Sequence, residues 1–150
     1  MLKEGNTLPD IKLKDQNGVE KRLYDLLKEK RYLVLYFYPR DDTPGCTKEA
    51  CGFRDGIDEL RRLGADVVGV SIDPPDKHRR FIEKYSLPFS LLSDEKGQLS
   101  RLLGAYSEEK KRCLRKTYII DASGKIVKIY DKVKPDIHAS EVIEYLKTKV

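Results

Sequence analysis

Two of the three cysteines in this 150-residue chain lie close enough in sequence to act together. Cys46 and Cys51 are five residues apart, whereas Cys113 is remote from both. An odd number of thiols excludes a framework in which every cysteine is paired. In an intracellular chain, a close pair of this kind is more often catalytic or metal-binding than structural. The search for function therefore begins at Cys46 and Cys51.

The residues just before Cys46 are typical of the start of a helix. Thr43 is a good N-cap and Pro44 favours the first helical position, which makes Cys46 the third residue of the helix. There, unpaired backbone N–H groups and the helix dipole favour an anion and raise the thiolate fraction of a cysteine. The Thr43 hydroxyl is also expected to donate to the sulfur. Because this segment is polar, we predict that Cys46 is a nucleophile and not a core residue, whereas Cys51 alone fits a small buried hydrophobe.

Cys51 lies in the same predicted helix as Cys46. At 1.5 Å and 100° per residue, their Cα atoms are roughly 8.7 Å apart. A disulfide tolerates only about 7 Å between Cα atoms, so the two thiols cannot bond while the helix is intact. If they do pair, at least the first turns of the helix must unwind, and chemistry is coupled to local unfolding.

Two other uses of the cysteine pair are less favoured. The gap between Cys46 and Cys51 is wide for the common zinc-binding pattern, and His78 and His138 are isolated from each other. A thioredoxin-type dithiol requires a C-x-x-C motif, which the sequence lacks. A redox role for the pair is therefore favoured, and zinc binding stays as the alternative.

Strand and helix signals alternate through the middle of the chain, and hairpins lie at both ends. We predict strands at 11–13, 19–23, 32–38, 66–72, 90–92, 114–120 and 125–130. We predict helices at 24–29, 43–64, 76–85, 98–103 and 138–147. This order indicates one α/β domain over residues 1–150, with an N-terminal β-hairpin and a central mixed β-sheet flanked by helices.

Composition argues against a membrane protein and against a nucleic-acid binder. The longest apolar run, Leu33–Tyr38, is far too short to cross a bilayer, and the first residues lack the apolar stretch of a signal peptide. Thirty basic against 25 acidic residues leave a net charge of +5, but the two signs alternate and form no basic stripe. We expect a cytoplasmic protein with no membrane or nucleic-acid partner.

The segment from Tyr36 to Cys51, YFYPRDDTPGCTKEAC, resembles the active-site segment of peroxiredoxins. The family pattern is a proline, three residues, a threonine or serine, two residues and a cysteine, which Pro39, Thr43 and Cys46 match. More narrowly, the segment is similar to that of the peroxiredoxin Q group, also called bacterioferritin comigratory proteins (BCP). The order of predicted elements fits the thioredoxin-like fold of that family along nearly the whole chain.

The resemblance implies an antioxidant thiol peroxidase that reduces hydrogen peroxide and organic hydroperoxides. Cys46 would be the peroxidatic cysteine, which attacks the O–O bond and becomes a sulfenic acid. Thr43 and nearby backbone N–H groups would orient the peroxide, and Pro39 would shield the sulfur from water. Arg115 matches the family's arginine, which precedes a strand and stabilises the thiolate and the departing oxygen. Glu49 occupies the position of a frequent active-site glutamate with a supporting role.

The resemblance also implies how the enzyme is recycled. Cys51 would attack the sulfenic acid after local unwinding and form an intramolecular disulfide with Cys46. Thioredoxin or a glutaredoxin-like dithiol would then reduce that bond by exchange. The resemblance implies no metal, haem or flavin cofactor. It implies a monomer, with a weak dimer as the alternative.

Cys113 departs from the family pattern, because its position is ordinarily apolar. A buried hydrophobic thiol is the preferred interpretation. A second resolving or intermolecular cysteine is the alternative, since Arg115 brings this segment near the active site. For the whole protein, a redox sensor whose disulfide changes a binding surface stays open beside the peroxidase. Efficient turnover with a dithiol reductant distinguishes the two.

Overall fold

The computed structural model describes residues 2–150. Its strands are β1 (Lys12–Lys14), β2 (Glu20–Arg22), β3 (Tyr32–Phe37), β4 (Ala65–Ser71), β5 (Ser90–Ser93), β6 (Tyr106–Ser107), β7 (Arg112–Cys113), β8 (Lys116–Asp121) and β9 (Ile126–Tyr130). Its helices are α1 (Pro44–Arg62), α2 (Pro75–Tyr85), α3 (Gln98–Leu103), α4 (His138–Lys147) and a 3-10 helix at Leu23–Leu27. Among these residues, no helix is both long enough and apolar enough to span a membrane.

One mixed sheet joins seven of the strands in the order β2-β1-β5-β4-β3-β8-β9. The central strands β3, β4 and β5 are parallel. The hairpin β1–β2 borders them on one side and the hairpin β8–β9 on the other, both through antiparallel pairing. The predicted mixed central sheet and the N-terminal hairpin are thus confirmed.

Alternate residues of β3 pack into two cores, one on each face of the sheet. One face carries Leu33, Leu35 and Phe37, and the other carries Val34, Tyr36 and Tyr38. Successive side chains of a strand point to opposite faces, so burial of both faces explains the unbroken apolar run. Helices α1, α2 and α4 contribute to the Tyr36 side, which we call the α1 core. Helix α3 and the 3-10 helix contribute to the other side, the α3 core.

Helix α1 packs on the sheet through one face and on α4 through another. The residues that it buries are Cys46, Glu49, Ala50, Phe53, Ile57 and Leu60, which recur at helical spacing. Gly56 lets α4 approach closely, because an added Cβ there would lie only 3.0 Å from Ile143, whereas at Gly52 it would lie 3.6 Å from Ala139, in ordinary contact. The helix ends before Gly64, whose φ of +84° is left-handed and unstrained for glycine, as predicted.

The sequence prediction is wrong at two short elements. The predicted helix at 24–29 is instead the 3-10 helix Leu23–Leu27, and Lys28 is already extended. Glu29 then takes a φ of +62°, which a continuing helix does not allow. The β6–β7 ladder is absent from the prediction, because two residues in each strand are too few to produce a detectable alternation.

Candidate active site

The first turn of α1 begins where the sequence predicts. Thr43 is the N-cap in an extended conformation, Pro44 is the first helical residue, and Cys46 is the third. The Thr43 hydroxyl, however, donates to the carbonyl oxygen of Arg40 at 3.2 Å and makes no capping bond. The predicted bond from Thr43 to the sulfur is therefore not formed here, because the extended N-cap turns its hydroxyl back toward the preceding loop.

The two cysteines of α1 have the opposite burial to that predicted. Cys46 is only 1% exposed and lies in the α1 core, although its local sequence is polar. Cys51 is half-buried. Five residues correspond to about 500°, so the side chains point roughly 140° apart on the helix. Cys46 therefore faces the sheet, and Cys51 lies near the edge of the solvent-facing side of the helix.

Arg115 connects the sulfur of Cys46 to the carboxylate of Glu49. It lies immediately before β8, as predicted. Its Nη2 donates to the Sγ of Cys46 at 3.4 Å, and its Nη1 donates to the Oε1 of Glu49 at 2.8 Å. A Cβ at position 45 would lie 3.0 Å from the same Nη2, so Gly45 allows the guanidinium to approach the helix closely. A planar guanidinium suits this contact because it presents parallel donors in a fixed geometry.

Glu49 is a buried carboxyl group with only one side-chain oxygen satisfied. Its Oε2 has no hydrogen-bond partner among the described residues. Burial raises the pKa of Glu49 to about 7, against the opposing effect of the Arg115 guanidinium. Protonation of Glu49 near neutral pH would leave more of the arginine's positive charge for the sulfur.

Pro39 and Thr43 bound the loop between β3 and α1, which we call the active-site loop (residues 39–43). Both residues are half-buried. The arrangement brings a buried thiol, the N–H groups of a helix N-terminus and a fixed cation to one place. Such a site favours negative charge on an oxygen that leaves beside it.

Two further polar residues lie in the same core, and sequence reasoning missed both. His138, at the start of α4, bonds through Nε2 to the Thr117 hydroxyl at 2.7 Å, and its ring lies edge-on to Phe53. Burial lowers the pKa of His138, an effect that Glu141 opposes. Tyr36 has a buried hydroxyl without a partner among the described residues. Nothing in the local sequence distinguishes these residues from ordinary core and surface positions.

Cys113 lies away from this site, on the opposite side of the sheet. It is 1% exposed in the α3 core, whereas Cys46 belongs to the α1 core. Burial raises the pKa of the Cys113 thiol to about 12, so it is an unreactive thiol at neutral pH. The preferred sequence interpretation, a buried hydrophobic thiol, is confirmed by its position.

Known proteins resemble this chain over almost its full length. The model of the AhpC/TSA family matches residues 5–129. The peroxiredoxin Bcp of Escherichia coli K12 is 42% identical over 154 aligned residues, which cover 97% of this chain and 96% of the relative.

Solved structures also resemble this chain over almost its full length. The peroxidoxin BcpB of Mycobacterium tuberculosis is 36% identical and superposes with a TM-score of 0.91, covering 99% of this chain and 98% of that one. A bacterioferritin comigratory protein of Xanthomonas campestris, described for its alkyl peroxide reduction activity, is 31% identical with a TM-score of 0.86, covering 98% and 99%. The chain thus has the thioredoxin-like peroxiredoxin fold and belongs to the AhpC/TSA family, within its peroxiredoxin Q and Bcp group of thiol peroxidases.

Proposed function

We propose that this chain reduces hydrogen peroxide and alkyl hydroperoxides through Cys46, with Cys51 as the resolving cysteine. The observation that carries the proposal is the 3.4 Å contact from the guanidinium of Arg115 to the Cys46 sulfur at the N-terminus of α1. The Xanthomonas relative's alkyl peroxide reduction supports the substrate class. A sulfur that is buried beside a fixed cation is suited to a small oxidant that enters from the loop side.

In the first step, the Cys46 thiolate attacks one oxygen of the peroxide. An S–O bond forms, the O–O bond breaks, and its electron pair leaves with the second oxygen, which takes a proton and becomes water or an alcohol. Cys46 is oxidised to a sulfenic acid and the peroxide is reduced. Arg115 stabilises both the thiolate and the departing oxygen, because its donors are already oriented by Glu49. Thr43 and the backbone N–H groups of the first turn orient the peroxide, and Pro39 shields the sulfur from water.

In the second step, Cys51 attacks the sulfur of the sulfenic acid. An S–S bond forms, the S–O bond breaks, and the hydroxide takes a proton to become water. The intact α1 forbids this bond, since the Cα separation expected for five helical residues exceeds the disulfide limit by about 2 Å. We therefore propose that the segment from Pro44 to Cys51 unwinds after oxidation. Half-exposed Cys51 at the edge of the helix is placed to meet the outgoing Cys46.

In the third step, an external dithiol reduces the disulfide. Its two thiols supply two electrons and two protons by thiol–disulfide exchange, and both cysteines of α1 return to the free form. We propose thioredoxin or a glutaredoxin-like protein as this partner, acting in the cytoplasm on a single-domain monomer. No metal or organic cofactor takes part in any step, since the sulfur atoms carry all the electrons.

The test combines thiol mapping with turnover. After one equivalent of hydrogen peroxide, mass spectrometry should find a Cys46–Cys51 disulfide and a free Cys113. Peroxide consumption driven by dithiothreitol should be sustained in the wild type and lost in Cys46→Ser. In Cys51→Ser, Cys46 should stop at the sulfenic acid, and Cys113→Ser is the matched control that keeps the disulfide.

Three results would contradict the proposal in different ways. A free Cys46 thiol after peroxide treatment would remove the peroxidase assignment from this residue. A Cys46–Cys51 disulfide that forms without sustained turnover with dithiothreitol or thioredoxin would favour a redox sensor. A disulfide that includes Cys113 would overturn the role given to Cys51.

A further inference from the structure

A buried polar network lies directly beneath the active-site loop. The Asp41 carboxylate accepts a hydrogen bond from the Tyr38 hydroxyl, and its other oxygen lies 2.7 Å from the Nδ1 of His78 on α2. The backbone N–H of Asp41 donates to Asp73 at 2.8 Å, and Ser71 donates to the same carboxylate oxygen at 2.7 Å. Buried hydrogen bonds therefore hold the active-site loop, which leads into α1, against the protein interior.

His78 completes this network with both nitrogens of its ring. The residue is fully buried, and its Nε2 lies 3.0 Å from the carbonyl oxygen of Leu92 in β5. A carbonyl oxygen only accepts hydrogen bonds, so Nε2 must carry a hydrogen. The Asp41 carboxyl group lies 2.7 Å from Nδ1, so the two side chains share one hydrogen between them. His78 and Asp41 thus form a buried hydrogen-bonded pair.

The active-site loop needs these stabilising hydrogen bonds because its backbone is strained. Asp42 has a φ of +56°, in the left-handed region that costs a non-glycine residue stability. On the solvent side, the Asp42 carboxylate accepts hydrogen bonds from the Lys84 ammonium at 2.8 Å and from the Tyr85 hydroxyl at 2.9 Å. Asp42 and Lys84 are exposed, however, and exposed ion pairs contribute little stability. The buried pair beside it is much harder to break, because removing one partner leaves a polar group of the other buried without a hydrogen bond.

The same side chains could be considered as a metal site. One ligand atom from each of Asp41, Asp73 and His78 lies within 4.8 Å of the others. Each of these groups, however, already has hydrogen-bond partners within the protein, among them Tyr38 and Ser71. A satisfied polar network fits this geometry better than an ion site.

We propose that His78 is a positioning residue for the peroxide reaction, which acts through Asp41. The pair holds the active-site loop so that Pro39, Thr43 and the first turn of α1 keep the Cys46 sulfur at the guanidinium of Arg115. This inference rests on the proposed function, because the step that it serves is the attack of Cys46 on peroxide. His78 itself touches neither the sulfur nor the substrate.

The test uses the Cys51→Ser background, in which Cys46 cannot form the disulfide with a resolving partner. In that background we compare His78→Leu, Asp41→Ala and both changes together. Two rates are measured by mass spectrometry of the Cys46 peptide, namely oxidation by hydrogen peroxide and alkylation by iodoacetamide. Leu99→Ala is the matched control, since it creates a cavity in the α3 core, on the other face of the sheet.

The two rates should move in opposite directions. His78→Leu should slow oxidation by about tenfold, the equivalent of one lost charge-assisted hydrogen bond. It should speed alkylation, because a released loop exposes the buried sulfur. The double variant should oxidise no more slowly than Asp41→Ala alone, since His78 acts through that carboxylate. Leu99→Ala should leave the ratio of the two rates unchanged.

Rates within twofold of the parent in His78→Leu, or effects that multiply in the double variant, would overturn the inference. If the parent itself resists peroxide, the proposed function fails, and the alkylation rates still decide whether His78 holds the loop. A His78→Leu chain that does not fold is replaced by nitrogen-15 NMR of the wild type. Hydrogen-bonded signals from both ring nitrogens support the pair, and an Nδ1 without a hydrogen-bond partner overturns it.

Discussion

Gly52→Ala tests whether α1 opens past Cys51 during the catalytic cycle. Gly52 directly follows Cys51, and an added Cβ would lie 3.6 Å from the Cβ of Ala139, which is ordinary van der Waals contact. The folded helix therefore accepts alanine without a clash. Alanine is more stable than glycine in a helix interior by about 1 kcal/mol. The open state should become about fivefold less populated, and we expect disulfide formation to slow by the same factor.

The assay separates attack from resolution. After one rapid addition of hydrogen peroxide, a dimedone trap measures the sulfenic acid and mass spectrometry of quenched samples measures the Cys46–Cys51 disulfide. Attack should keep its wild-type rate, because Gly52 lies away from the sulfur and its contacts. Gly56→Ala is the matched control, since it makes the same substitution beyond Phe53, where we expect the helix to stay closed. Its Cβ would lie 3.0 Å from Ile143, so its thermal stability is recorded alongside.

Three outcomes would contradict this reasoning. An unchanged rate of resolution in Gly52→Ala would mean that the helix opens only before this residue. Equal slowing in Gly52→Ala and Gly56→Ala would mean that resolution depends on the stability of the whole helix and not on a local opening. Slowing of the attack step in Gly52→Ala would indicate that the substitution disturbs the site itself.

Three further variants test the site and its surroundings. Arg115→Lys should slow peroxide attack about ten- to a hundredfold in stopped-flow measurements, because one ammonium cannot replace two parallel donors; a wild-type rate would contradict the role of the guanidinium. The pKa of Glu49 is raised to about 7 in the folded protein, which therefore binds its proton more tightly than the unfolded chain does. This group should lower the unfolding free energy by about 3 kcal/mol as pH rises from about 4.5 through 7. Denaturant titrations should show that Glu49→Gln removes this decrease, and an unchanged pH dependence would refute the assignment. Cys113→Ser should lower the unfolding free energy by about 1 kcal/mol through a buried hydroxyl, and the melting temperature with it, yet keep full turnover. Lost turnover would give Cys113 a catalytic role.

The local parts of the site are predictable from sequence because they depend on neighbouring residues. Thr43 is a residue type that favours the N-cap position and Pro44 has the fixed backbone geometry of a first helical residue, and the structure begins the helix there, although the Thr43 hydroxyl makes no capping bond. The burial of Cys46 is not predictable in this way. It depends on which face α1 turns to the sheet, and the polar residues around Cys46 belong to the other faces of the same turn.

Contacts between distant residues depend on topology, which no local pattern encodes. Arg115 and Cys46 are 69 positions apart and meet because β8 pairs with β3, whose end leads into α1. The resemblance to a known family identified that arginine, whereas spacing alone would have left it as a surface residue. The pair of Asp41 and His78, separated by 37 positions, matches no motif and emerges only when α2 packs beside the active-site loop.

Different kinds of contact hold the chain in place on either side of the segment that is proposed to unwind, residues 43–52. Asp41 is held before it by polar bonds to α2, and Phe53 is held after it by apolar packing that includes the ring of His138. Residues 43 to 52 span about 14 Å as a helix but up to about 30 Å when extended. The unwound segment is therefore long enough to bring the two sulfurs together while the contacts of Asp41 and Phe53 stay intact. If the disulfide forms as proposed, hydrogen exchange should change within residues 43–52 and stay unchanged in α2, α4 and the sheet, because the geometry requires no motion of these elements.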